Sequence, residues 1–295
     1  MSTLRELKSR IGSVASTQKT TSAMKMISSA KMRKATGQMQ RLTPYSDMVR
    51  NVISHLLVTD QEFASPLIVD REVANVALVV FGSDDGLCGA FNINIFKQLL
   101  VAIADVRKKY GDGVNITILP VGKKLTKASL KIAEGNLKVE KAEKLNTRSA
   151  SEDLYEFTDM VQQRFLDKEF DRVDVLYMHF KSTSKQIFTR EQLLPVLPEA
   201  LQGQVDQSAA NSPCLFEPDA ETIFNSVLPL HIRSMMQAVF TESAASEQAS
   251  RVMAMQTASD NAAELLESLN LEYNKLRQQN ITTELLDILG GQVQR

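Results

Sequence analysis

The sequence predicts an α/β fold in which a long antiparallel coiled coil of N- and C-terminal helices is joined to a Rossmann-like α/β domain. Three observations predict it. Leu230 to Leu289 is a run of sixty residues with no proline or glycine; it follows Pro229 and precedes Gly290-Gly291, the usual punctuation of a helix start and stop. Near the other end, Leu4, Leu7, Ile11 and Val14 recur at heptad steps. Between the two, short apolar runs alternate with helical patterns. An unbroken C-terminal helix of this length spans about 90 Å, whereas a domain core is only about 30 Å across. Most of it must pack on another helix or sit inside a partner.

In chain order, residues 3 to about 42 read as a helix, with Gly12 and Gly37 costing about 1 kcal/mol each. Pro44 is expected to kink or interrupt it before it resumes over Asp47–Leu57. The apolar content continues through Met24, Met26, Ile27 and Met32, among many Ser, Thr and Ala. Such small positions imply a narrow, close-packed seam. Residues 59–72 read as a linker. Strands are expected at 73–81, 114–122, 173–180 and 186–197, with a short one near 137–145, and helices at 91–109, 123–134 and 151–167. The strand–helix alternation implies a small parallel sheet, and the short polar link between the last two strands implies an antiparallel edge. A polar loop at 199–213 returns the chain to the long helix. The resulting domains are 1–58, 59–215 and 216–295.

Composition excludes several classes. The chain is 43% hydrophobic and 23% charged with net charge −1, ordinary for a folded protein. That balance hides an uneven layout: residues 1–50 carry ten basic side chains against two acidic, while 217–295 carry five against eleven. Opposite charge favours pairing of the two ends, though each exposed pair contributes only about 0.3–0.5 kcal/mol. Cys88 and Cys214 imply no disulfide framework. His55, His179 and His231 have no metal-ligand spacing, so neither metal nor cofactor is expected. No apolar run is long enough to span a bilayer. The basic, Ser/Thr-rich start also fits an organellar transit peptide, but a heptad pattern of this length suits a permanent coiled-coil strand better. It has no aromatic residue before Tyr45 for stacking on bases, which argues against nucleic acid.

Catalytic candidates fail one by one. Gly82–Gly89, GSDDGLCG, stands where a phosphate loop belongs, yet it matches neither G-x-G-x-x-G nor G-x-x-x-x-G-K-[ST], and Asp84 and Asp85 would repel a phosphate. It reads as a tight structural turn. The GKK at 122–124 lacks the other members of a phosphate loop. Cys88 has no neighbouring activating group, and Glu152-Asp153 suits a helix start. If both long helices leave the domain together and run antiparallel, paired residue numbers sum to about 274, with Met1 near Tyr273. About sixteen residues then protrude, carrying Ile281, Leu285, Leu286, Ile288 and Leu289. A bare apolar tip needs a sheath from another protein.

Four stretches resemble the gamma subunit family of the rotary proton-translocating ATP synthase: STQKTTSAMKMISSAKMRKA, GSDDGLCGAFN, ASEQASRVMAMQTASDNA and YNKLRQQNITTELLDILGG. The resemblance implies a central rotor shaft with no catalytic residues of its own, inside an alpha and beta subunit hexamer. It also implies contacts with the epsilon subunit and the c-subunit ring, and a peripheral position on the cytoplasmic face of a bacterial inner membrane. Partner-binding residues carried over by motif are Met24, Lys25, Arg251, Arg277, Gln278 and Thr282 along the shaft, with Phe216 and Glu217 at the foot. Asp85, Ala90 and Phe216 depart from the family's commoner residues. The rival reading is an α/β ligand-binding protein dimerised through its coiled coil, which would hold a ligand in the sheet crevice.

Overall fold

The computed structural model describes residues 3–57, 63–142, 144–197 and 216–292 of the chain, the side chains of 287 and 290–292 excepted. The 199–213 loop, Cys214 and Met1 lie outside them. The elements are α1 (Leu4–Leu57), β1 (Asn75–Phe81), α2 (Phe91–Tyr110), β2 (Asn115–Val121), α3 (Lys123–Ser129), β3 (Leu137–Val139), α4 (Ser151–Leu166), β4 (Arg172–Phe180), β5 (Gln186–Leu194) and α5 (Ala220–Gln292). Two compact units result. One is drawn from Met1–Ser29 and Arg251–Arg295, the other is Ala30–Ser250.

The larger unit is built on a five-stranded sheet in the order β3-β2-β1-β4-β5. Pairs β1–β2, β1–β4 and β2–β3 are parallel, and β4–β5 is antiparallel, as the strand and helix alternation predicts. Alternation within each strand sends side chains to two cores. Val76, Leu78 and Val80 of β1 face Phe91, Ile95, Leu99 and Val106 of α2. Ala77, Val79 and Phe81 face the opposite side, where Leu154, Phe157 and Val161 of α4 meet Val49 and Ile53 of α1 and Phe224, Leu228 and Ile232 of α5. Two carboxylates fix the strands. Asp171 accepts from the backbone N–H groups of Ala74 and Asn75 at 3.0 and 2.9 Å. Asp174, fully buried, accepts from Arg172 and Arg190.

Two helix boundaries differ from expectation. Pro44 does not interrupt α1; it sits on the exposed face, where water can satisfy the carbonyl that loses its donor. The C-terminal helix starts at Ala220 and not at Leu230, with Pro229 inside it. Its true cap is Asp219, whose carboxylate accepts from the Thr222 N–H and hydroxyl, both at 2.8 Å. Phe224 and Leu228, buried in the sheet core, outweigh the cost of the internal proline. α3 ends at Ser129, short of the expected 134, because the chain turns there into the Glu134–Leu137 bridge.

The seam of α1 keeps a strict heptad. Its covered positions run Leu4, Leu7, Ile11, Val14, Gln18, Thr21, Lys25 and Ser28 in the smaller unit, then Met32, Ala35, Met39, Leu42, Ser46, Val49, Ile53 and Leu56 in the larger. That spacing wins over composition. Met26 and Ile27, read from the sequence as continuing the apolar content, are 67% and 56% exposed. In the smaller unit α5 shows the mirror-image series Val252, Met255, Ser259, Ala262, Leu266, Leu269, Tyr273 and Leu276. In the larger unit the Oγ atoms of Ser46 and Ser234 are 2.5 Å apart. Both units therefore pair residue numbers that sum to about 280, not the expected 274. The displacement follows from α1, which does not break at Pro44 but runs on to Leu57, since an earlier start of α5 alone would lower the sum.

This register is testable by oxidation. Val14→Cys with Leu266→Cys forms an intrachain disulfide, whereas Val14→Cys with Asp260→Cys, offset by roughly 9 Å along the helix, does not. A reversed yield on a non-reducing gel would show the register to be wrong.

Candidate functional site

Open α/β sheets bind ligands in the crevice beyond the carboxyl ends of the strands, where the strand order reverses. Here the reversal lies between β1 and β4, and α5 fills it. Phe240 meets Phe81 edge-on with ring centroids 6.0 Å apart. Ser246 donates its hydroxyl to the Met178 carbonyl at 2.7 Å. The cavity left among Phe81, Gly82, Thr147, Phe240, Ser243, Ala244 and Glu247 is about 10 Å³, room for about one water molecule. The inner crevice that the rival reading requires is occupied by the chain's own helix, and what stays open is a polar cleft of about 380 Å³ outside it, between α1, α5 and residues 147–151.

The turn after β1 is equally committed. A Cβ on Gly82 would lie 2.6 Å from the Leu125 Cβ, and one on Gly122, at φ +109°, would lie 2.9 Å from the Ser83 nitrogen. Glycine lets the ends of β1 and β2 meet. Asp84 accepts from the Lys123 N–H at 3.0 Å and from the Thr147 hydroxyl and N–H at 2.7 and 3.0 Å. Burial works to raise its carboxyl, but these hydrogen bonds outweigh burial and hold it below the usual carboxylate range. Asp85 pairs with Arg148. Cys88 is buried, with Asn92 donating to its sulfur at 3.4 Å. Both acidic side chains and the thiol thus serve the turn. Among the described residues no group of three or more His, Cys, Asp or Glu is placed to hold a metal ion.

What remains is surface. Past Leu276 no side chain of α5 with a described environment is covered: Ile281, Leu285, Leu286, Ile288 and Leu289 are 48–62% exposed. This tip begins at Arg277, three residues later than the expected register put it. Arg277, Gln278 and Thr282 lie on it, exposed, with the Thr282 hydroxyl turned back to the Gln278 carbonyl at 2.9 Å. Met24 and Lys25 are half-buried, and Arg251 is buried. In the larger unit Phe216 packs on the sheet core while Glu217 is exposed. The sequence reading did not single out Met26 and Ile27 as surface residues. Extending its own heptad from Leu4 would have placed both outside the seam.

Two charged contacts fasten α5 within the sheet unit, and a buried neutral histidine lies beside them. Arg233 grips Asp159 of α4 through two hydrogen bonds of 2.7 and 2.6 Å. His179 Nδ1 lies 2.7 Å from Glu242 Oε2; burial raises the Glu242 carboxyl, against the pull of His179. His231 is buried beside Arg50 of α1, and burial first, then that positive charge, lowers it from 6.5 to about 4.

The comparisons agree with a molecule of helices and surfaces. A family described as ATP synthase matches residues 3–293. The ATP synthase gamma chain of Phocaeicola vulgatus is 41% identical over 99% of both chains, and that of Bacteroides fragilis is 40% identical with the same coverage. The chain belongs to the ATP synthase gamma chain family. The fold has solved counterparts in a mitochondrial ATP synthase of Euglena gracilis (OSCP/F1/c-ring, rotational state 3) and in the central stalk/c-ring of the Tetrahymena thermophila enzyme. The first has a TM-score of 0.66 at 20% identity and covers 98% of this chain and 93% of that one. The second has 0.58 at 24%, covering 81% and 99%. A gamma chain is a non-catalytic subunit of its complex, and among the described residues no helix is long and apolar enough to cross a membrane.

His231 gives the gamma chain an acid-sensitive joint. The folded state holds the imidazole neutral, so its contribution is complete above pH 6.5 and is lost as pH falls from there to about 4. Over that window the parent chain loses roughly 3 kcal/mol more stability than His231→Leu, measured by denaturant unfolding. Parallel acid slopes would count against this assignment.

Proposed function

We propose that this chain is the central rotor shaft of an ATP synthase, coupling proton flow through a membrane ring to ATP synthesis or hydrolysis on surrounding beta subunits. The exposed apolar tip of α5 carries the reading. A side chain of this size gains about 1.5–3 kcal/mol when fully covered, so five of them on one helix end call for a sleeve. The sleeve is an alpha and beta subunit hexamer. Met24, Lys25 and Arg251 act in the two-helix region, where Met26 and Ile27 add an exposed apolar ridge. Arg277, Gln278 and Thr282 meet the sleeve at the tip. The sheet domain, with Phe216 and Glu217, serves as the foot against the c-subunit ring and the epsilon subunit. The complex is peripheral on the cytoplasmic face of a bacterial inner membrane. The filled crevice supports a mechanical role over the ligand-binding alternative.

The test uses the assembled complex in vesicles. A reducible link from Met26→Cys to the rigid core of a surrounding subunit abolishes ATP-driven proton pumping, and reduction restores it. Undiminished pumping in the fully linked complex would sink the rotor reading.

The tip and the paired region are expected to separate in a second measurement. Truncation from Leu285 lowers the yield of assembled complex by a larger factor than it lowers torque per complex. Loss of torque with normal assembly yield would mean that the tip is a drive surface and not a bearing.

A further inference from the structure

A cleft on the sheet unit is used by none of this. It has a volume of about 570 Å³, within the roughly 300–1,000 Å³ of small-molecule sites. It opens at Gly122, beyond the carboxyl end of β2, between α3 and the segment 141–146. Its walls divide by chemistry. Pro120, Leu130, Ala142 and Leu145 give an apolar floor, with Leu130 still 43% exposed. Lys123, Lys124, Lys127 and Lys141 stand around it, all exposed. Lys123 faces Asp84 electrostatically; Lys124, Lys127 and Lys141 make no ion pair with another described residue. Asp84, the acidic group of the lining among the described residues, is already taken by three hydrogen bonds.

Three ammonium groups with no ion pair among the described residues, standing above an apolar floor, do not form by local necessity. Edge strands and helix surfaces carry lysine for solubility, but a solvated lysine face does not need a concave apolar centre. We propose that this cleft binds a small phosphate monoester with an aromatic body, the ring lying on Leu130, Ala142 and Leu145 and the phosphate meeting Lys124, Lys127 and Lys141. Lysine serves here as a mobile point charge and not as a rigid fork. Binding is therefore weak, tolerant of ligand shape and steeply reduced by salt. The site is separate from the β1–β4 crevice, and its lysines come from GKK and its sequel, which match no phosphate loop. The inference stands whether or not the rotor reading holds.

The probe is 1-naphthyl phosphate, titrated by calorimetry into the full-length chain at low salt. One equivalent binds with a Kd below about 1 mM, and inorganic phosphate and naphthalenemethanol each bind at least about tenfold more weakly. Lys124→Gln/Lys127→Gln weakens the probe about tenfold, and Leu130→Asn does so without changing the response to inorganic phosphate. A control pair on the last turn of α2, Lys108→Gln/Lys109→Gln, leaves binding unchanged. No saturable binding up to about 10 mM, or equal weakening by the control pair, overturns the proposal.

Discussion

The larger unit depends on α5 lying across its sheet. Phe240 against Phe81, Ser246 on the Met178 carbonyl, Arg233 on Asp159 and Glu242 on His179 fasten the helix at four places within about one dozen residues. Each does a different physical task. The aromatic contact excludes water from the end of β1, the serine satisfies a buried carbonyl, and the ion pairs fix rotation about the helix axis. A helix held only by greasy packing could turn or slide in its groove. One held by directional bonds stays fixed against the sheet and turns only with it.

That fastening shapes the interior of α5. Ser234, Gln237, Thr241, Ser243, Ser246 and Glu247 are all buried, an unusual number of polar groups for a helix enclosed by its own unit. Unpaired, each would cost about 1–3 kcal/mol. Several have partners: Thr241 donates to the Gln237 carbonyl at 2.8 Å and Ser234 meets Ser46. A polar seam stabilises less per residue than leucine, but it penalises every wrong register. The long period of identical heptad steps on α1 would otherwise allow slippage by seven.

Much of this was legible in the sequence. The parallel sheet, its antiparallel edge and the structural nature of the GSDDGLCG turn all follow from patterning, because period and turn chemistry are local. The register was not, since it depends on how far both long helices run into the sheet unit, and Pro44 and Pro229 both lie inside them. Pro229 looked like a start signal, while the actual signal, Asp219 followed by Thr222, is a quieter capping pair. Nor was the lysine-ringed cleft visible. Lys124, Lys127 and Lys141 are spread over eighteen residues and meet only because Lys141, Ala142, Leu145 and Asn146 lie beside α3. The heptad at Leu4 already placed Met26 and Ile27 outside, yet composition suggested the opposite. Where spacing and hydrophobicity disagree on a long helix, spacing decides.

The charge layout takes on a different meaning in the structure. Ten basic groups in the first fifty residues and eleven acidic ones after 216 suggested attraction between the paired helices. Yet Lys8, Lys19, Arg33, Glu264, Glu267 and Glu272 are exposed, and small and apolar residues fill most of the seam. Exposed pairs contribute little in salt, so pairing rests on the seam. The charges remain on the outer faces, basic along α1 and acidic along α5. Within the smaller unit the paired helices thus carry basic groups on one helix and acidic groups on the other. A helix pair so marked can favour one orientation over another in a charged surrounding without any fixed bond.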